Sequence, residues 1–251
     1  MLVPPLLARF GVARLEDNVK GCTLGVREID PHVEIFRSFG GEVERASGSL
    51  LVRSSSALKP THHWLDYASV TTTENFVLCA AAADGESSLT NAASEPHVQE
   101  FCRFMAMMGA DIDGIGTSRL TVRGGKPLGG GEFTFEEDFH EITTFLALGA
   151  ITGGDVVVRN RTPGNFPLID RTFAKFGVQI EHKDGWSRAL RSGPLKVQTP
   201  FTSNVLTKVE AAPWPYFPVD LLPIFIALGV CAEGNACLLY TSDAADDSLR
   251  V

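Results

Sequence analysis

Three segments of the chain stop a helix in the same way. Phe36-Arg-Ser-Phe-Gly-Gly-Glu-Val43, Phe104-Met-Ala-Met-Met-Gly-Ala-Asp-Ile112 and Phe173-Ala-Lys-Phe-Gly-Val-Gln-Ile180 each run an amphipathic helix into a glycine and then begin a strand. Glycine takes the left-handed position past a helix end without steric cost, so it marks the stop. Gly40, Gly109 and Gly177 stand 69 and 68 residues apart. A second marker runs in phase: Gly85 in Ala-Asp-Gly-Glu, Gly154 in Thr-Gly-Gly-Asp and Gly234 in Ala-Glu-Gly-Asn, spaced by 69 and 80 residues. Stacked solenoid repeats have periods of roughly 20 to 50 residues, so this period is too long for them. Each unit has room for two helices and several strands in the order β-α-β-α-β-β, which makes the chain mixed α/β (α+β).

Start signals agree with the stop signals. Thr71-Thr-Thr-Glu74 and Asp138-Phe-His-Glu141 match a capping box, a short polar cap with Glu three residues on. Asp30-Pro31 and Glu95-Pro96 place proline in a first helical turn, where its missing N–H costs nothing. Helices are therefore predicted near 74–83, 97–108, 139–151, 166–176 and 221–231. Strands are predicted near 42–53 (a hairpin around Ser47-Gly48), 118–123, 132–135, 155–159 and 178–188. The run Gly124-Gly-Lys-Pro-Leu-Gly-Gly-Gly131 reads as a linker between groups of units. It lacks the spacing of a phosphate-binding loop.

Composition excludes several classes. With 251 residues, 44% hydrophobic and 21% charged, the chain is an ordinary globular sequence of one large or two smaller domains. No apolar run reaches the roughly 18 residues of a membrane span. The N-terminal stretch is apolar, but Pro4, Pro5 and Arg9 argue against a signal peptide. Five scattered cysteines without a C-x-x-C pair suit reduced thiols in a cytoplasmic protein, not a disulfide framework or a zinc site. The net charge of −8 argues against nucleic acid as a partner.

At Gly21-Cys-Thr-Leu-Gly-Val-Arg-Glu-Ile-Asp-Pro-His32 the sequence resembles the catalytic loop of the UDP-N-acetylglucosamine enolpyruvyl transferase family. Leu6-Leu-Ala-Arg-Phe-Gly11, Ser69-Val-Thr-Thr-Thr-Glu-Asn75, Asn91-Ala-Ala-Ser-Glu-Pro96 and Phe217-Pro-Val-Asp220 agree with it in order and spacing. The resemblance implies an inside-out α/β barrel fold. Two similar domains are each built from three β-α-β-α-β-β units, with helices inside and sheets outside. It divides this chain into a partial first domain (1–128) with the Cys loop and a partial second domain (129–237). It also implies transfer of the enolpyruvyl group from phosphoenolpyruvate to the 3-hydroxyl of UDP-N-acetylglucosamine, for peptidoglycan synthesis. No metal or organic cofactor is implied, and no membrane partner.

Each site residue has a bland reading beside the functional one. A lone cysteine is usually a small buried hydrophobe. Cys22 lies between two glycines with Arg27 five residues on, and a nearby guanidinium favours the reactive thiolate. By resemblance Cys22 works on phosphoenolpyruvate, is alkylated by fosfomycin and sits on a loop that closes over the substrates. Asp220 opens an apolar stretch and suits an N-cap; by resemblance it is the base that takes the sugar hydroxyl proton. Asp30 suits a cap and His32 a surface residue; by resemblance both contact the uridine end. Arg27 by resemblance holds a phosphate, and Ser69 and Val70 meet the diphosphate through backbone N–H groups at a helix start. Glu95 and Asp138 match substrate-side carboxylates and also have capping explanations. His62-His63 and Trp214–Tyr216 read as packing.

The sequence departs from the family at named places. Thr71 stands where the family usually has Gly, and Tyr67 where it often has Lys. The family's Lys-Asn pair and an arginine ahead of the Cys loop have no counterpart. The match is expected to end near Asn235, before units that supply further arginines, so the acidic balance and an inactive isolated chain are both expected. Residues 238–251 fit no phase of the repeat, resemble translated adapter sequence and are expected to be foreign or disordered. Three other readings compete: the sister enolpyruvylshikimate phosphate synthase, which lacks the Cys loop; a non-catalytic nucleotide-sugar-binding relative; and an inactive fragment.

Overall fold

Residues 1–16, 28–46, 48–191, 193–202 and 205–240 are described by a computed structural model, and all structural statements concern them. Contacts divide the chain into two units, Met1–Thr134 and Phe135–Val251, each with its own apolar core.

The first unit runs α1 (Val3–Phe10), β1 (Val12–Glu16), α2 (Asp30–Ser38), β2 (Glu42–Ala46), β3 (Ser49–Arg53), β4 (His62–Trp64), α3 (Val70–Ala82), β5 (Gly85–Thr90), α4 (Pro96–Met107), β6 (Asp111–Asp113) and β7 (Arg119–Gly124). The second runs α5 (Phe139–Thr152), β8 (Val157–Arg159), α6 (Pro167–Ala174), β9 (Val178–Lys183), β10 (Trp186–Arg191), β11 (Thr207–Ala211), α7 (Leu222–Val230) and β12 (Ala236–Tyr240).

One grammar generates both. The run β4-α3-β5-α4-β6-β7 is a full β-α-β-α-β-β unit, forming a sheet in the order β4-β5-β7-β6. β4 and β5 are parallel, as a helical crossover requires, and β7 pairs antiparallel with both β5 and β6. The sheets β1-β3-β2 and β8-β10-β9 repeat its last three strands in the same order. The parallel pair β11-β12, joined through α7, repeats its first two. Among the described residues no sheet closes on itself.

The stop signals behave as the sequence predicts: Gly40, Gly109 and Gly177 take φ of 89°, 108° and 79°. In the second marker of the second unit the left-handed residue is Gly153 (φ 70°), which ends α5, with Gly154 following it.

Helix α3 shows why the units pack as they do. Thr72, Thr73, Asn75, Phe76, Val77, Cys79, Ala80 and Ala81 are buried, so most of its circumference is hidden and a narrow stripe at Thr71, Glu74, Leu78 and Ala82 is left. A helix with so little exposed surface must be largely enclosed, and α1, α2, α4, β5 and β7 pack around it. In the second unit Phe225 of α7 is the hub, with ring centroids 4.8 Å from Phe173, 5.1 Å from Phe217 and 6.1 Å from Phe176.

Several expectations are corrected. Helix α3 starts at Val70 with Ser69 in the cap position, so Thr71-Thr-Thr-Glu74 lies inside the helix and is no capping box. No strand forms at 132–135; the alternating phenylalanines there serve as anchors, and the Phe133 ring meets Phe104 edge-on at 5.5 Å. Within the run 124–131, Gly124, Gly125 and Gly131 are closely packed, whereas Gly130 faces open space. A Cβ on Gly124, the last residue of β7, would overlap the carbonyl oxygens of Ala80 and Ala83, and Gly129 N–H donates to the Met108 carbonyl at 2.7 Å. Leu238–Tyr240, assigned to the tail, pair with Val209–Ala211 in β12. Residues 241–251 lie outside the described residues.

Replacing Phe225 by Ala should destabilise the second unit by about 3–5 kcal/mol in urea denaturation, the cost of a large core cavity. Gly124→Ala should cost the first unit about 1–3 kcal/mol through overpacking against α3, measured in the same way.

Candidate functional site

The residues singled out by sequence fall into two clusters, one in each unit. Cys22 and Arg27 lie outside the described residues.

In the first unit the N-terminal turns of α2, α3 and α4 are neighbours. His32, in the first turn of α2, accepts at Nδ1 from Asn75 Nδ2 of α3 (2.9 Å), which leaves the hydrogen on Nε2. That Nε2 lies 3.5 Å from Thr71 Oγ1, at the start of α3. Burial, aided by the positive chain-terminal amine, lowers the pKa of His32 below its usual 6.5, so the ring is neutral at neutral pH. Asp30 is the first residue of α2, with Ile29 in the cap position, and therefore does not cap the helix. Tyr67 donates to Glu28 Oε2 at 3.4 Å.

The start of α3 is open. Ser69 has an extended backbone (φ −113°, ψ 122°) but makes no side-chain cap bond; its hydroxyl pairs with Thr72 Oγ1 at 2.8 Å. The first-turn N–H groups of a helix have no intrahelical partners, and here the N-cap side chain supplies none. Glu95 holds the cap position of α4, likewise without a side-chain cap bond, so the capping explanation does not account for it. Burial raises the Glu74 carboxyl above its ordinary 4.5, and the charge of Glu95 adds to the effect.

In the second unit Asp138 does cap α5, accepting from the His140 backbone N–H at 2.8 Å. Its Oδ1 is also 3.0 Å from His140 Nδ1, and His140 Nε2 is 4.0 Å from Asp220 Oδ2. The structure thus brings Asp138 and Asp220 together through a histidine that sequence reasoning passed over. Its only signal was its place two residues after the cap, as expected of a ring that folds back on its own N-cap. Asp220 sits in a 3-10 turn, Val219–Leu221, ahead of α7, whose cap position is held by Leu221. Asp220 is therefore no N-cap, and its side chain is 80% exposed.

Two other features have the wrong environment for a site. Ser187, His182 and Asp170 form a hydrogen-bonded chain (2.7 and 2.9 Å), to which Asn160 adds a bond to Ser187 at 2.8 Å. Ser187 is 1% exposed, so no substrate can reach it, and the chain fastens α6 to its sheet. A cavity of about 1150 Å³ opens at Gly149–Gly154, the C-terminal end of α5. That end carries the negative pole of the helix, and the lining arginines are engaged, Arg188 with Asp155 (2.7 Å) and Arg191 with the Ala150 carbonyl (2.9 Å). Asp138 and Asp220 do not line it. Among the described residues, no group of side chains could hold a metal ion, and no helix is long and apolar enough to cross a membrane. Burial pushes the Cys79 and Cys102 thiols up to about 12, which leaves them inert.

Comparison with known proteins places these clusters in context. Residues 2–242 match the family model described as EPSP synthase (3-phosphoshikimate 1-carboxyvinyltransferase). A UDP-N-acetylglucosamine 1-carboxyvinyltransferase of Borrelia garinii subsp. bavariensis is 32% identical over 235 residues, 94% of this chain and 54% of the relative. One of the same name from Shewanella amazonensis is 33% identical over 241 residues, 96% of this chain and 56% of the relative. The chain thus spans about half the length of the curated relatives it matches. Among solved structures, the enolpyruvyl transferase NikO from Streptomyces tendae superposes with a TM-score of 0.76 at 20% identity, over 97% of this chain and 57% of that one.

The raised Glu74 carboxyl makes a signed prediction. A folded-state value above the unfolded one stabilises below about 4.5, and that stabilisation is lost as pH rises through the folded value. Glu74→Gln should therefore gain stability over the parent as pH rises from acid to neutral, measured as the difference between their urea midpoints.

Proposed function

The chain belongs to the EPSP synthase (3-phosphoshikimate 1-carboxyvinyltransferase) family, and from that premise we propose that it carries the acceptor-side machinery of a UDP-N-acetylglucosamine enolpyruvyl transferase. The choice of acceptor rests on the relatives bearing that name at 32–33% identity over 94–96% of the chain. The structural observation that carries the reading is the uncapped start of α3, beside the first turn of α2 and the cap of α4. Such a helix start offers oriented N–H groups and a positive dipole end to an anion.

In this reading Ser69 and Val70 receive the diphosphate through backbone N–H groups. Asp30 and His32 meet the uridine end, and a neutral His32 donates from Nε2 without adding charge. Arg27 grips a phosphate with its forked donors. Glu95 and Asp138 lie on the sugar side. Asp220 accepts the 3-hydroxyl proton as the sugar oxygen attacks C2 of phosphoenolpyruvate. A general acid protonates C3; Cys22 serves the phosphoenolpyruvate side, and loss of phosphate from C2 together with a proton from C3 restores the double bond and leaves the enolpyruvyl ether. The reaction so written needs no metal or organic cofactor.

The exposure of Asp220 suits its part. Being exposed, its carboxylate is free to swing to within hydrogen-bond reach of the hydroxyl. The inside-out barrel arrangement of the repeated units, a cytoplasmic location and a role in peptidoglycan precursor synthesis belong to the same proposal. Turnover is proposed for a protein of the relatives' full span. For the 251 residues themselves the readout is modification of Cys22.

Peptide mass spectrometry after incubation with fosfomycin tests this. One adduct on Cys22 is expected, forming faster with UDP-N-acetylglucosamine present, while the buried Cys79 and Cys102 stay unmodified. If Cys22 reacts with iodoacetamide but not fosfomycin, or if the nucleotide sugar leaves the rate unchanged, the site is not assembled by these residues.

A further inference from the structure

His140 stands between the carboxylates of Asp138 and Asp220, and its contact with Asp138 places a hydrogen on Nδ1. The Asp138 carboxylate can only accept, so its Oδ1 at 3.0 Å from Nδ1 requires the hydrogen there. A neutral imidazole with hydrogen on Nδ1 has its lone pair on Nε2, and Nε2 is the atom directed at Asp220 Oδ2, 4.0 Å away. The ring is held in that pose. It stacks on Phe139 with centroids 3.9 Å apart and an interplanar angle of 30°, and Phe139 lies 6.0 Å from Trp214. The His140 side chain is 28% exposed against 80% for Asp220, so the ring is the fixed partner and the carboxylate the moving one.

Among the described residues, three carboxylates belong to the elements that meet at the ring. Asp138 precedes α5, Glu141 follows His140 on it, and Asp220 approaches from the 3-10 turn. Glu137 is engaged by Arg159 (3.2 Å) and Arg161 (2.7 Å). Helix α7, packed on α5, has no titratable side chain, and the arginines of β10 are held at the other end of α5.

We propose that His140 is a positioning residue for Asp220: fixed by Asp138 with hydrogen on Nδ1, it presents Nε2 as the acceptor to which Asp220 passes the proton it collects. This rests on the reading of Asp220 as the base. The steps balance without a co-reactant. The hydroxyl O–H bond breaks, its electron pair forms the new C–O bond, and the proton binds Asp220 Oδ2. That O–H bond then breaks in turn, the proton moves to His140 Nε2, and Asp220 is a carboxylate again. The imidazolium so formed faces the Asp138 carboxylate. The separation of 4.0 Å is beyond a hydrogen bond, and a swing of about 1 Å by the exposed Asp220 closes it.

The test reads the ring directly and needs no turnover. The chain is labelled with ¹⁵N-histidine, and the resonances of His140, one of six histidines, are assigned through His140→Gln. At a pH where the ring is neutral, a pyrrole-type Nδ1 signal and a pyridine-type Nε2 signal are expected. Asp220→Asn should move the Nε2 signal and leave Nδ1 in place. Asp138→Asn should erase the preference and give mixed tautomers. A protonated Nε2 in the parent chain, or an Nε2 signal indifferent to Asp220→Asn, overturns the proposal. Because Asp220 is exposed, its substitution leaves the core intact, and unchanged signals from the other histidines verify this. Failure of the base assignment shows separately: a protein of the relatives' full span that contains this chain would keep its kcat after Asp220→Asn while the tautomer remained as expected.

Discussion

Helix α3 offers water only a narrow stripe, Thr71, Glu74, Leu78 and Ala82, and the first unit is arranged around that constraint. Its buried residues cover the rest of its circumference, so it needs neighbours on most sides. Helices α1, α2 and α4 flank it and strands β5 and β7 close the remainder. The cost of this enclosure is borne by the backbone of β7, which approaches α3 so closely that only glycine fits at 124. An enclosed helix still has two ends. Its N-terminus is therefore the place where backbone polarity reaches the surface, and the Ser69 side chain leaves it uncapped.

The period was legible because its punctuation has a steric cause. A helix that must turn into a strand within two residues needs a left-handed position, and Gly40, Gly109 and Gly177 all supply one. The strands were less legible, for reasons visible in β5. Gly85–Thr90 reads as a turn because it holds two serines, yet Ser87 and Ser88 are buried. They are tolerated because each is paired, Ser87 Oγ with the Thr61 N–H (3.2 Å) and Ser88 Oγ with His62 Nδ1 (2.8 Å). His62, taken for packing, is thus the partner that lets a polar strand enter the core. Strands β4 and β6 are three residues long, too short for any alternation to register. At 132–135 alternation was present without a neighbour to pair with, so a strand was expected where an aromatic anchor stands.

The candidate site was legible as a set of positions and illegible as an arrangement. Asp30, Ser69, Val70, Glu95, Asp138 and Asp220 were each found beside capping or motif signals. What the sequence could not show is that only Asp138 among them acts as a side-chain cap. Nor could it show that Asp138 and Asp220, far apart in the chain, are joined through His140. That link depends on the 3-10 turn before α7 lying against the first turn of α5, a tertiary fact with no local signature.

Every described candidate stands at or next to the N-terminal end of a helix, and this resolves a tension in the composition. In a chain with a net charge of −8, basic side chains are outnumbered by acidic ones. Helix starts supply partial positive charge that no residue count records. The two units use it in opposite ways. At α3 the end is left open, free to receive an anion from outside. At α5 the end is occupied by the chain's own Asp138, and the carboxylate so held orients His140 toward Asp220. One device, the unsatisfied first turn of a helix, is thus left without a side-chain cap in the first unit and filled by Asp138 in the second.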